Sequence, residues 1–201
     1  MAGGGKRAAD LDAWVCFEDE CGRTMIPPRA RTWAPRGHTP VVAVPGSRGG
    51  RISVADLVCY RHGHRSRLIY RLHVYRRRRE EAPSFTWRDY RDLLIAAHTQ
   101  LGAPLVVVWD NLNRHTCAPI RTFIADHQDW LTVIQLPSYA PDLNPAEGIW
   151  AELNRSTLAN LAVPSLDHLI TAMKHGLKRL QYRPDLIDGC LTGTGLTRQP
   201  P

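Results

Sequence analysis

The sequence predicts an α/β fold on one mixed sheet, with antiparallel strands early in the chain and parallel strands flanked by helices later. Two observations predict it. Arg51–Tyr60 and Arg67–Tyr75 are β-rich runs joined across a turn at His62–Gly63–His64, which reads as antiparallel pairing. After Pro83, helical periodicity alternates with the unbroken apolar run Leu105–Trp109 and with the mainly apolar Leu131–Leu136, read as a second buried strand. Such runs are how strands buried on both faces look.

The elements follow in order. Residues 1–11 read as a flexible leader. Trp14–Phe17 reads as a strand entering the acidic cluster Glu18, Asp19, Glu20. Period two puts Val15, Phe17 and Asp19 on one face, and Glu18 and Glu20 on the other. Gly22–Gly37, with Pro27, Pro28 and Pro35, reads as loop or irregular hairpin, and Val41–Val44 as a short β-branched run. Thr86–Leu101 carries Trp87, Tyr90, Leu93, Leu94 and Ala97 at helical spacing, with Ser84 or Thr86 as its cap. Ala118–His127 is expected to be helical, as is Asn144 to about Leu161 with Pro145 at its first position. Another helix, Leu166–Leu180, starts at Pro164–Ser165. Residues 183–201 read as a frayed C-terminal tail, which leaves 12–182 as the single domain.

Composition narrows the class. With 201 residues and 43% hydrophobic content, the chain can bury one core. No apolar run is long enough for a transmembrane helix, and MAGGGKRAAD is not a signal peptide. The five cysteines are scattered without a CxxC pair, so neither a zinc site nor a disulfide framework is indicated, and a reduced cytoplasmic compartment fits. The net charge of +7 is uneven. Residues 21–80 hold fourteen arginines against Asp56 and Glu80, a balance of +12, while 1–20 and 81–201 are at −3 and −2. Such a block suits a polyanion, and a solvated arginine-rich surface is the plainer alternative.

Three carboxylates stand where a fold could expose them. Asp110 ends the buried run Leu105–Trp109, and the C-terminal edge of parallel strands is where sites form in α/β folds. It could equally cap the next turn. Asp19 ends the first strand amid apolar neighbours, with Glu20 as its rival. Glu147 lies three residues after Asn144, so a capping box alone could explain it, and Asp142 is a weaker candidate in the same loop.

Three phrases carry a family resemblance: FEDECG at 17–22, VVVWDN at 106–111 followed by His115, and LPSYAPDLNPAEGIW at 136–150. The last two together resemble the DDE catalytic domain of mariner-type insertion-sequence transposases, from about Asp12 to Leu196, and the first matches the family's DE with a glycine two residues on, at Asp19, Glu20 and Gly22. Trp33, Pro35 and Gly37 match a further family phrase, W-x-P-x-G, as a structural turn. The resemblance implies a ribonuclease H-like sheet and Mg²⁺-dependent DNA strand cleavage and strand transfer. It makes Asp19, Asp110 and Glu147 the catalytic ligands of two Mg²⁺ ions, replaceable by Mn²⁺, about 4 Å apart. The implied partners are DNA, as transposon ends and target, and a second copy of the chain in the DNA complex. DNA contacts are expected from Asn111, His115 and the run Arg76, Arg77, Arg78 and Arg79. Localisation is expected to be cytoplasmic, with the nucleoid. The first ligand, at position 19, leaves no room for the helix-turn-helix modules usual in the family, so an upstream-encoded portion is a candidate partner. A truncated, non-catalytic DNA-binding remnant and a ribonuclease H-like nuclease are the alternatives. A tyrosine recombinase, suggested only by Tyr139, lacks the accompanying residues. If the triad is real, the strands before Asp19 and Asp110 should be adjacent and parallel, and without metal at least one of the acids should have a raised pKa.

Overall fold

The computed structural model describes residues 12–44, 50–137 and 141–196. Five strands form one sheet in the order β3-β2-β1-β4-β5. They are β1 (Trp14–Arg23), β2 (Arg51–Tyr60), β3 (Arg67–Tyr75), β4 (Leu105–Trp109) and β5 (Leu131–Gln135). β2 pairs antiparallel with both β1 and β3. β4 pairs in parallel with both β1 and β5. The strands ahead of Asp19 and Asp110 are therefore adjacent and parallel, as expected. β1 is longer than its sequence suggested, because β2 supplies partners as far as Arg23, which lies opposite Ile52.

The helices are α1 (Trp87–Leu101), α2 (Asn113–Thr116), α3 (Ala118–Asp126), α4 (Pro145–Leu153), α5 (Leu166–Gln181) and α6 (Pro184–Gly193). Asn154–Leu158 prolongs α4 as a π-helical turn. Thr86, not Ser84, caps α1 through a capping box with Asp89, and Gly102 closes the helix with φ 63°. Ser165 caps α5 by accepting from the His168 N–H. No helix among the described residues is long and apolar enough to cross a membrane.

The alternation of β1 divides the molecule into two layers. Trp14 and Cys16 point toward α1 and α3, into a core with Leu93, Leu94, Ile120 and Phe123. Phe17 and Cys21 point the other way, into a core with Ile52, Val54, Val58 and the α4–α6 residues Ile149, Leu153, Met173 and Ile187. α4 sits close to its neighbours because two glycines allow it. A Cβ at Gly148 would lie 2.8 Å from Cys190 Sγ on α6, and one at Gly176 on α5 would lie 2.5 Å from Leu153 Cδ1.

Two segments differ from their sequence reading. Val41–Val44 is not a strand: it is exposed and pairs with no strand among the described residues, and β-branched character without a partner strand does not make a sheet. The segment read as a tail contains α6, whose Ile187 and Leu191 are buried in the core and whose Ile187 carbonyl accepts from Tyr60 Oη–H at 2.8 Å. Pro184 opens this helix and Leu186, Ile187, Cys190 and Leu191 recur at helical spacing, but Gly189 and Gly193 dilute the signal. The expected leader 1–11 and Tyr139 lie outside the described residues.

If α6 is structural, Ile187→Ala should lower stability by about 2–5 kcal/mol in urea unfolding. A frayed tail would leave the midpoint unchanged.

Candidate active site

Phe17 on β1 lies opposite Val108 on β4, so two residues further along these parallel strands Asp19 and Asp110 arrive level at one edge of the sheet. Glu147 reaches the same edge through its cap. Asn144 is buried, accepts the Ala146 N–H at 3.1 Å, and donates from Nδ2 to the Glu18 carbonyl of β1 at 3.1 Å. The first turn of α4 is thus tied to the strand that carries Asp19. Glu147 does not close a capping box. Its exposed carboxylate makes no hydrogen bond among the described residues.

Asp19 is held from two sides, by the Glu20 N–H at 2.8 Å and by Trp150 Nε1–H at 3.1 Å. Burial, reinforced by the charges of Glu147 and Asp110, nevertheless raises its pKa to about 7. Asp110 behaves differently. Burial favours its neutral form, but hydrogen bonds from His115 Nδ1 and the Leu112 N–H outweigh burial and hold it below the usual carboxylate range. Among the described residues no three His, Cys, Asp or Glu side chains are gathered tightly enough to hold an ion as they stand. Three oxygen donors on mutually repelling carboxylates are nonetheless the kind of set that a hard cation draws together.

The remaining acids of the cluster are engaged elsewhere. Glu20 faces the opposite layer, where Tyr90 Oη–H donates to it at 2.6 Å and Arg114 at 3.3 Å. Asp142 is exposed on the short 3₁₀ turn ahead of α4. Asp56, which no sequence signal singled out, lies directly opposite Asp19 on β2, with Tyr70 of β3 on its other side. It is fully buried, and neither carboxyl oxygen has a hydrogen-bond partner among the described residues. Burial, then the charge of Asp19, pushes its pKa well up. Only the register of β2 against β1 reveals it.

The expected DNA contacts fare unevenly. Asn111 is exposed, and its Nδ2 donates to the Leu136 carbonyl at 3.1 Å, joining the ends of β4 and β5. His115 is not at the surface: its side chain is 0% exposed, and its ring serves Asp110 instead of facing a phosphate. Arg76 is occupied by Asp167. Arg77, Arg78 and Arg79 are exposed and form no ion pair among the described residues. Arg29, Arg31 and Arg36 are likewise exposed. They lie on a segment that Asn160 anchors by bonding both the N–H and the carbonyl of Ala30. The W-x-P-x-G phrase does form a turn, with Gly37 at φ 84° and the His38 N–H bonded to the Pro35 carbonyl.

Raised carboxyl pKa values fix the sign of the pH dependence. The folded protein keeps protons on Asp19, Glu18 and Asp56 that the unfolded chain releases near pH 4. Their contribution to stability is complete below that pH and is lost as pH rises through about 7 for Asp19 and through the raised pKa of each of the other two. In chelator, the thermal midpoint should therefore fall between pH 5 and pH 8. Asp56→Ala should flatten this slope and stabilise the protein at pH 8 by about 1–3 kcal/mol, read by urea unfolding, by removing an unpaired buried acid.

The profile of the DDE superfamily endonuclease family matches residues 14–170. No curated protein matches the chain. Among solved structures, the Mos1 transposase paired-end complex with the left transposon end is similar at a TM-score of 0.59 and 17% identity, over 96% of this chain and 59% of that one. The Mos1 mariner paired-end complex with Mn gives 0.59 and 17%, over 97% and 60%. The isolated catalytic domain of Mos1 mariner transposase gives 0.50 and 15%, over 96% and 88%. The chain therefore spans about three-fifths of the Mos1 chains in the DNA complexes, and what it shares with them is the ribonuclease H-like fold. The family match covers most of the 201 residues, strands and acidic edge included, and the protein belongs to the DDE superfamily of endonucleases.

Proposed function

We propose that the chain is the catalytic domain of a mariner-type transposase, which cuts DNA strands and joins them to a target, with Asp19, Asp110 and Glu147 as its cation ligands. The observation that supports this reading most is the β1–β4 register, which sets Asp19 and Asp110 level, with the Asn144 cap tying the first turn of α4, and so Glu147, to β1. The likeness to Mos1 complexes with transposon-end DNA, Mn and Mg supports DNA as partner and a divalent cation as cofactor.

A pair of divalent ions in such a site supplies an activated nucleophile and stabilises the leaving oxygen. The protein does the rest. Asp110 presents a carboxylate that stays ionised. Trp150 and the Glu20 N–H orient Asp19. The Asn144 cap sets the distance of Glu147 from β1. Arg77, Arg78 and Arg79, exposed on the surface, would attract the phosphate backbone. A second copy of the chain, and helix-turn-helix modules from a separate segment, would supply end pairing and sequence reading. Domain limits of 12–182 are extended in this reading to include α6, which packs on the helix of Glu147.

Nicking of supercoiled plasmid in Mg²⁺ tests the function. Wild-type protein should nick, and Asp19→Asn, Asp110→Asn and Glu147→Gln should each abolish nicking while keeping cooperative unfolding. An active Glu147→Gln variant would remove Glu147 from the site, since glutamine is a poor Mg²⁺ ligand. Non-specific DNA affinity should fall steeply with salt. Replacing Arg77, Arg78 and Arg79 by Ala should reduce the slope of log affinity against log salt by roughly one for each phosphate that an arginine had neutralised.

A further inference from the structure

Glu18 precedes Asp19 on β1 and points to the opposite face, beneath α1. Its side chain is 2% exposed, and neither oxygen has a hydrogen-bond partner among the described residues. Facing it is His115, whose Nε2 also lacks a hydrogen-bond partner. Nε2 and Glu18 Oε2 are 3.3 Å apart, close enough to pair although off line for a hydrogen bond. Two buried polar groups with no other partner among the described residues are satisfied only by each other. On its other side, His115 Nδ1 lies 2.9 Å from Asp110 Oδ1.

The ring between the two acids has little freedom. It stacks on Trp109 with centroids 4.4 Å apart and planes within 5°. Tyr90 meets it edge-on at 4.6 Å and 88°. Tyr90 is itself held by its hydroxyl on Glu20. The two ring nitrogens are therefore fixed on a line from Glu18 to Asp110.

We infer that Glu18 is a positioning residue that, through His115, fixes the Asp110 carboxylate for cation binding. The inference rests on the reading of Asp110 as a cation ligand. One hydrogen between Glu18 Oε2 and Nε2 satisfies both of these atoms. Whichever atom carries it, Nδ1 keeps its own hydrogen and donates it to Asp110 Oδ1. Oδ1 also accepts the Leu112 N–H at 3.0 Å. Two donors thus hold one oxygen of Asp110 and leave Oδ2, which has no hydrogen bond among the described residues, for a cation. Support behind a ligand of this kind typically changes metal affinity by about 10–100-fold.

The test compares Glu18→Met, which fills the space without a polar group, with Glu18→Gln, whose amide can still donate to Nε2. In the metal-free full chain, ¹⁵N NMR of the His115 ring should show Nδ1 protonated in all three proteins. The Nε2 signal should move to that of an unbonded imine nitrogen in Glu18→Met alone. Mn²⁺ affinity, read from the free-ion EPR signal, should weaken about tenfold or more in Glu18→Met and stay near wild type in Glu18→Gln. An unmoved Nε2 signal, full Mn²⁺ affinity in Glu18→Met, or a Glu18→Gln variant as weak as Glu18→Met would each overturn the inference. Failure of the underlying metal reading shows separately, as Mn²⁺ affinity unchanged in Asp110→Asn. Unfolding midpoints confirm that the variants are folded, with Glu18→Leu standing in should Glu18→Met not fold.

Discussion

From Trp14 opposite Leu105 to Phe17 opposite Val108, β1 and β4 run parallel in one register, and this pairing brings two acids ninety-one positions apart in the chain to the same edge. A slip of one residue would turn Asp19 into the layer beneath α1 and bring Glu18 to the face of α4, because side chains alternate with period two. The slip is resisted on both sides of the sheet. Cys16 and Phe17 are buried in separate cores, so either would have to exchange its packing for that of the other.

The edge so built is electrostatically tense. Asp56, Asp19 and Asp110 follow one another across β2, β1 and the end of β4, and Glu147 approaches from α4. The protein treats these acids differently. Asp110 is exposed enough, and bonded well enough, to remain ionised. Asp19 is half-buried and shares its site with Glu147. Asp56 has neither solvent nor partner. One row of carboxyl groups therefore runs from easily ionised to readily protonated, set by burial, by neighbouring charge and by hydrogen-bond donors.

Much of this was legible in the sequence, and for identifiable reasons. Leu105–Trp109 has only one environment open to it, buried on both faces, so the acid after it falls at a strand end. The alternation Val15, Phe17, Asp19 fixed the face of Asp19 before β2 was known to pair with it. What was illegible depends on register or on long-range packing. Asp56 stands in an otherwise apolar strand and becomes notable only because it pairs with Asp19. His115 looked like a loop residue available to a ligand, and stacking on Trp109 instead draws it inside. α6 was hidden by its glycines, and its evidence lies in Tyr60 and Gly148, far away in the chain.

At Gly148, next to Glu147, the backbone of α4 rests against Cys190 with no space for a methyl group, and at Gly176 the same happens between α5 and Leu153. The position of Glu147 is thus set by helix-to-helix distance and by the Asn144 cap. Sequence separation and spatial separation are thereby uncoupled. The thirty-six residues between Asp110 and Glu147 can absorb an insertion in the connection after β5 while the carboxylates keep their places. Counted spacing between such acids is accordingly a loose guide to their geometry, and the small residue after the glutamate a tighter one.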